Sequence, residues 1–442
     1  MTTTQIILLG FLTTILIGSI LLSLPISSAD GKPVAYIDAL FTATTATCVT
    51  GLVTVTTAST WSIFGQAVIL LLIQIGGLGV ITIMSTFMIL FSQRFNLGKR
   101  MLIMDSFNLN SLSGLVAFIK KVVTGSLIIE AVGAIIYMTV FIPQFGVKGI
   151  WFSVFNSVSA FCNAGMDIIS DTSLYNYAEN PVINIVTELL IILGGIGFIV
   201  WWDIVRILKN KNTRHFKYLS LHSKIALSST AFLIIFGAAI IFTLEYNNPD
   251  TIGNFSLFGK IQASLFQSVT TRTAGFASFP QEGLTLPSVI ICMFLMFIGG
   301  SPVGTAGGIK TVTFFVLATT TFSVVTGKND NNAFNRKISE KAVKKSLAVF
   351  ITSALIVVSS TVLLSIVEDA SFTDIIYETV SATATVGLSR NLTPYLSILG
   401  KIIIIVTMYF GRVGPISIAM AFKGSRQKGN VVTNPAEEIS IG

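Results

Sequence analysis

Apolar residues in this chain gather into long runs, and eight of those runs reach the roughly 20 residues that a helix needs to cross hydrocarbon. They cover residues 5–24, 61–91, 122–142, 182–202, 225–244, 286–325, 347–367 and 398–422. The first is uncharged and stops at Pro25, with neither a basic flank nor a small-residue cleavage signal, so a retained helix is expected. The sixth is overlong and is interrupted by glycines between Gly299 and Gly308. The polar stretches between runs alternate in kind. Every second one is basic, and the others carry a short amphipathic segment rich in Ser and Thr. The pattern predicts eight spanning helices in pairs, each pair enclosing a short helix and a loop.

Composition agrees with that reading. Of 442 residues, 52% are hydrophobic and 11% are charged, against roughly 25% charged in a soluble domain. A soluble enzyme, a disordered chain and a disulfide-stapled module are excluded, which leaves an all-α integral membrane protein. The net charge of +8 divides unevenly, with 20 of the 28 basic residues in the three basic linkers and the C-terminal tail. That side carries about +14 and the other about −6, so the basic side and both termini are expected in the cytoplasm. The acidic outer face either concentrates cations by its field or simply lacks lysine under the same bias. Nucleic acid is not an expected partner. Cys48, Cys162 and Cys292 sit in apolar surroundings without metal spacing, and read as small buried side chains. His215 and His222 lie in a basic linker and are expected to be solvated.

The amphipathic segments repeat. They run from Tyr36 to Gly51, Trp151 to Gly165, Ile261 to Gly275 and Asp374 to Gly387, and the closing glycines are 114, 110 and 112 residues apart. A second glycine cluster follows each of them: Gly76-Gly-Leu-Gly79, Gly194-Gly-Ile-Gly197, Gly299-Gly300 and Gly411-Arg-Val-Gly414. One helix–pore loop–helix unit used four times explains the whole chain. The units cover 1–94, 95–210, 211–328 and 329–423, with 424–442 as a cytoplasmic tail. Four such units would surround a pseudo-fourfold pore.

Non-helical backbone at membrane depth survives only where protein buries it or where it lines a wet cavity. Four loops on one axis present rings of carbonyl oxygens that can replace the hydration shell of an ion. The candidate filter residues are Val49, Thr50 and Gly51; Asn163, Ala164 and Gly165; Thr273, Ala274 and Gly275; and Thr385, Val386 and Gly387. The last triplet opens the TVGYG-type potassium filter, and backbone carbonyls would be the sole metal ligands. Gly304-Thr-Ala-Gly-Gly308-Ile-Lys310-Thr311 is no P-loop, because Ile309 separates the Gly-Lys pair that the Walker pattern needs. It reads instead as an irregular loop beneath the filter, either a gate or a passive helix break. Lys310 and Arg412 lie in or beside spans, where charge usually faces a pore or a partner. Glu130 and Glu188, also within spans, are the candidate structural partners of Arg412. Arg272 stands where the other loops have Cys48, Cys162 and Ala384, and is expected to form structural hydrogen bonds.

With these loops, with Gly299-Gly-Ser-Pro-Val-Gly-Thr-Ala-Gly-Gly-Ile-Lys-Thr311, with Tyr409-Phe-Gly-Arg-Val-Gly-Pro415 and with the closing Glu437-Glu-Ile-Ser-Ile-Gly442, the chain resembles the Trk/Ktr/HKT superfamily of potassium transporters, most closely the Ktr-type membrane subunit. The resemblance covers roughly residues 5–442. It departs at Val303-Gly304-Thr305, where the family loop usually reads Gly-Ser-Thr. The resemblance implies potassium uptake across the cell (plasma) membrane, with sodium as a candidate co-ion or activator. Glycine at all four filter positions favours potassium, since a serine at the first marks sodium-selective members. It implies a gate formed by Gly299, Gly300, Gly304, Gly307, Gly308 and Lys310 in the loop 299–310, and by Arg412. It further implies a homodimer in the lipid bilayer, whose cytoplasmic face docks a ring of nucleotide-binding regulatory subunits. A sodium-permeable member of the same superfamily and a secondary cation transporter of another fold are the alternatives. A membrane enzyme is not expected, because no cluster of His, Asp, Glu or Cys marks an interface.

Overall fold

A computed structural model describes residues 3–80, 82, 83, 85, 86, 115–209, 216–328 and 330–414. The expected unit boundaries at 94–95 and 210–211, His215 and the tail 424–442 lie outside the described residues. One order of elements recurs along the chain. The long helix α1 (Thr3–Leu22) is followed by the short α2 (Tyr36–Cys48) and by α3 (Ile63–Leu78). Then come α4 (Leu115–Phe145), α5 (Lys148–Cys162), and α6 (Pro181–Gly195) with α7 (Phe198–Lys209). Next are α8 (Leu221–Glu245), α9 (Leu257–Thr270), α10 (Leu286–Phe297) and α11 (Thr311–Val325). The last set is α12 (Glu340–Val367), α13 (Phe372–Ala384) and α14 (Ile398–Val413). A hairpin of β1 (Asn332–Ala333) and β2 (Arg336–Lys337) precedes α12.

Local sequence sets the helix starts. Ser62, Ser256, Ser371 and Ser397 accept the third following N–H with their hydroxyls, and Asn180 caps the first turn of α6 ahead of Pro181. The short helices are the buried ones. Phe41, Phe155, Phe266 and Tyr377 are fully enclosed, whereas α1, α4, α8 and α12 turn Ile20, Ile135, Ile235 and Ile366 outward. An apolar exterior around a polar, Ser/Thr-rich interior is the pattern for a chain whose solvent is lipid. Packing runs in a cycle: α3 lies on α5, α6 on α9, α10 on α13, and α14 on α2.

Among the described residues, α1, α4, α8 and α12 are each long and apolar enough to cross a membrane. The pair α6 and α7 passes that test only together and is bent by 97°. The expected continuous runs 61–91, 182–202 and 398–422 are interrupted at their second glycine clusters, and 286–325 breaks between Phe297 and Thr311, where its glycines mark an interruption. Gly79, Gly197 and Gly414 end α3, α6 and α14 with φ of +87°, +95° and +91°, and an irregular loop separates α10 from α11. Hydropathy counts apolar residues and is blind to a left-handed glycine, so it reads through such breaks.

Candidate functional site

The four short helices all end beside one another. Each passes into a residue two places before the closing glycine: Val49, Asn163, Thr273 and Thr385, with φ of +55°, +60°, +67° and +51°. The closing glycines Gly51, Gly165, Gly275 and Gly387 also have positive φ, at +100°, +65°, +82° and +97°. They form a closed ring. A Cβ on Gly51 would lie 2.5 Å from the Ala164 carbonyl oxygen, and one on Gly165 would lie 2.5 Å from that of Ala274. The same position on Gly275 meets the Val386 oxygen, and on Gly387 the Thr50 oxygen. Side chains at these four positions are therefore excluded by neighbouring backbone as well as by conformation.

The amides of the ring segments are bonded outward. Thr45 Oγ1 accepts the Gly51 N–H at 2.9 Å, Ser381 Oγ the Gly387 N–H at 3.1 Å, and Ser159 Oγ the Met166 N–H at 3.1 Å. Thr50, Ala164, Ala274 and Val386 donate their N–H groups back to Thr45, Ser159, Thr270 and Ser381. The carbonyls receive nothing. Among the described residues, no donor bonds the backbone oxygens of the twelve sequence-predicted ring residues. Ten of these residues are buried, with Gly165 and Gly387 half-buried. The bracing hydroxyls of Thr45, Ser159 and Ser381 were not among the expected site residues. Their signal is a Ser or Thr six places before the glycine in three of the four segments.

The glycine-rich loop lies against this ring. Ser301 and Thr305 donate their N–H groups to Gly195 and Gly194, at 2.8 and 3.1 Å, and Phe198 N–H returns to the Val303 oxygen at 2.8 Å. These bonds fill the gap left by the bend between α6 and α7. Gly304 and Gly307 have no room for a Cβ, facing the oxygens of Gly194 and Ala384 at 2.8 and 2.7 Å. Gly299 and Gly308 pack on one another across the loop's neck, with Gly300 against Ala306. Lys310 folds back, its Nζ donating to the Ala306 oxygen at 2.6 Å.

Arg412 is not paired with either buried acid. Its guanidinium donates to the carbonyls of Thr305, Gly76 and Gly77, joining α14, the loop and the end of α3. Glu130 accepts instead from Gln74 Nε2 at 3.1 Å, and Glu188 from Gln262 Nε2 at 3.0 Å. Arg272 makes the expected structural bonds, donating from Nη2 to Thr230 Oγ1 at 3.3 Å and to the Gly299 oxygen at 3.4 Å. The three cysteines are free and buried. His222 departs from expectation: its Nε2 is buried without a hydrogen-bond partner rather than solvated, because the ring stands at the packed start of α8. On the other side of the ring, Asp167 sits in the loop between α5 and α6, where burial pushes its carboxyl up to about 6.

Comparison with known proteins gives concordant matches. The family model TrkH, described as cation transport protein, matches residues 1–432. The chain is 40% identical over 439 residues to the Ktr system potassium uptake protein B of Bacillus subtilis, covering 99% of this chain and 96% of that protein. It is 39% identical over 445 residues to the potassium/sodium uptake protein NtpJ of Enterococcus hirae, covering 99% and 97%. The crystal structure of the potassium transporter TrkH from Vibrio parahaemolyticus matches with a TM-score of 0.74 at 18% identity, over 94% of this chain and 84% of that one. That likeness concerns the fold.

Proposed function

We propose that this chain, which belongs to the TrkH family of cation transport proteins, takes up potassium through the ring of twelve backbone carbonyls. It is a multi-pass membrane protein, and the relatives named above are uptake proteins rather than enzymes. The observation that carries the reading is the set of buried carbonyl oxygens without donors. Buried carbonyls left unpaired are rare, and a dehydrated cation is the partner that such oxygens satisfy. The C-terminal ends of α2, α5, α9 and α13 converge on the same place and add partial negative charge. Glycine at all four ring positions and the Thr385-Val386-Gly387 segment support potassium as the ion.

The loop 299–310 acts as the gate below this filter, with Gly299, Gly300, Gly304, Gly307 and Gly308 giving it its path and Lys310 holding its shape. Arg412 places positive charge on the permeation route and pins the loop shut. Four units, each contributing two crossings, give eight spans, with the basic linkers and both termini in the cytoplasm and the protein in the cell membrane. Sodium serves as co-ion or activator. Two copies form a dimer whose cytoplasmic face receives a ring of nucleotide-binding subunits; the name of the Bacillus subtilis relative, a Ktr system protein B, supports work alongside another subunit. Sodium permeation is the second reading, favoured by the name of the Enterococcus hirae relative, a potassium/sodium uptake protein.

The test is growth of a potassium-uptake-deficient cell on limiting potassium. Expression of the chain with a suitable regulatory subunit is expected to restore growth, and Arg412→Ala to raise the initial rate of potassium entry. Failure of rescue despite membrane expression sinks the potassium reading; sodium entry equal to potassium entry transfers it to the second.

A further inference from the structure

The ring and the glycine-rich loop touch through side chains, and one residue belongs to the ring while holding the middle of the loop. We propose that Asn163 is a positioning residue that latches the loop to the ring, so that the loop leaves its seat only as the second and third ring segments change shape. This rests on the filter and gate roles proposed above.

Asn163 occupies the left-handed position at the end of α5, and its side chain is buried. The matching residues are Val49, Thr273 and Thr385, none of which has both an amide donor and a carbonyl acceptor. Asn163 uses both. Its Oδ1 accepts from Thr305 Oγ1 at 3.2 Å, and its Nδ2 donates to the Arg272 carbonyl at 3.4 Å, immediately before ring residue Thr273. Thr305 is itself a junction. Its N–H goes to Gly194, its hydroxyl is shared with the Phe161 carbonyl at 3.1 Å, and its own carbonyl takes Arg412.

Two further contacts bracket this one. Arg272 Nη2 reaches Gly299 at the start of the loop, and Thr273 Oγ1 accepts the Gly307 N–H at 3.0 Å near its end. The second and third ring segments thus grip the loop at its start, middle and end. All of these groups are buried, so withdrawing Thr305 strips Asn163 Oδ1 of its donor where water does not replace it at once. The remaining amide bond would then transmit any rotation of Asn163 to the Arg272 carbonyl and to the ring beside it. Asn163 couples opening to ring shape at the middle of the loop, beside the two bracketing contacts.

The experiment uses the purified full chain in liposomes, measuring potassium influx, competition by sodium, and hydrogen exchange of residues 299–310. Asn163→Ala and Thr305→Val are each expected to raise influx about five-fold, the population change that loss of one net hydrogen bond supplies. The double variant is expected to exceed either single but to fall short of their product, since the Asn163–Thr305 bond is removed by both changes. Asn163→Ala also frees the Arg272 carbonyl and is expected to strengthen sodium competition more than Thr305→Val does. Exchange in the loop rises in both. Influx of the double variant equal to the product of the singles overturns the latch, as does unmoved exchange in a chain that transports potassium. If the parent carries no potassium while exchange still rises in both variants, the transport reading fails and the latch stands.

Discussion

Asp167, in the loop between α5 and α6, is a side chain near the ring whose burial favours its protonated form. Burial raises its carboxyl to about 6, while the Ile169 N–H, at 3.3 Å, works in the opposite direction. The folded chain therefore binds this proton more tightly than the unfolded chain does. Its contribution to stability is full below the ordinary carboxyl range and is lost as pH rises through 6. Charge behaves in the reverse sense, being present above pH 6 and absent below. The apparent affinity for external potassium is expected to weaken as pH falls from 7 to 5, and Asp167→Asn to flatten that profile. A variant whose affinity follows the parent's pH dependence would remove Asp167 from cation capture. Nothing in the sequence around Asp167 announces its burial, since Asp171 four residues later is exposed. The ring glycines were legible because conformation forces glycine there, whereas Asn163 is singled out for its backbone carbonyl and its side-chain bonds to Thr305 and Arg272 were not legible.

At the scale of elements, the second glycine clusters decide where helices stop. Gly197 has φ of +95°, and a Cβ there would stand 2.5 Å from the Pro302 carbonyl oxygen. The α6–α7 bend and the seat of the glycine-rich loop meet at this position, because the buried carbonyls of Gly194 and Gly195 at the C-terminal end of α6 are bonded by that loop. Gly197→Ala is expected to destabilise the protein by about 1–3 kcal/mol through backbone strain, read as a lower melting temperature in detergent. Gly146→Ala is the control with φ of +59° and open space around it, and is expected to cost less. Equal losses would place the penalty in conformation alone and not in the contact with the loop. Sequence periodicity located α1, α4, α8 and α12 closely, because a helix surrounded by lipid needs little more than length and apolarity. It overran α3, α6 and α14, whose ends answer to tertiary contacts, whereas the glycines after α10 marked its end.

At the scale of the molecule, the chain's last described unit must meet its first. Lys401 at the start of α14 pairs with Asp38 at the start of α2 at 2.6 Å, and both side chains are 14% exposed. These residues are 363 positions apart, so the pair closes the cycle that packing of α14 on α2 completes. Breaking a largely buried pair leaves a charge without its partner, and Lys401→Met is expected to cost about 2 kcal/mol. Asp38→Asn in the same chain is expected to return part of that loss, measured as a double-mutant cycle. Additive losses would show that the pair does not hold the cycle together. The sequence by itself determined the apolar surroundings of this protein, the even spacing of its four closing glycines and the glycines of the ring, because hydrophobic length and positive φ are local demands on residue type. Only the tertiary structure decided which carbonyls lack donors, that Arg412 holds backbone rather than Glu130 or Glu188, and that Asn163 reaches Thr305. Those outcomes are contacts between residues more than 100 positions apart, and no single segment carries the information that fixes them.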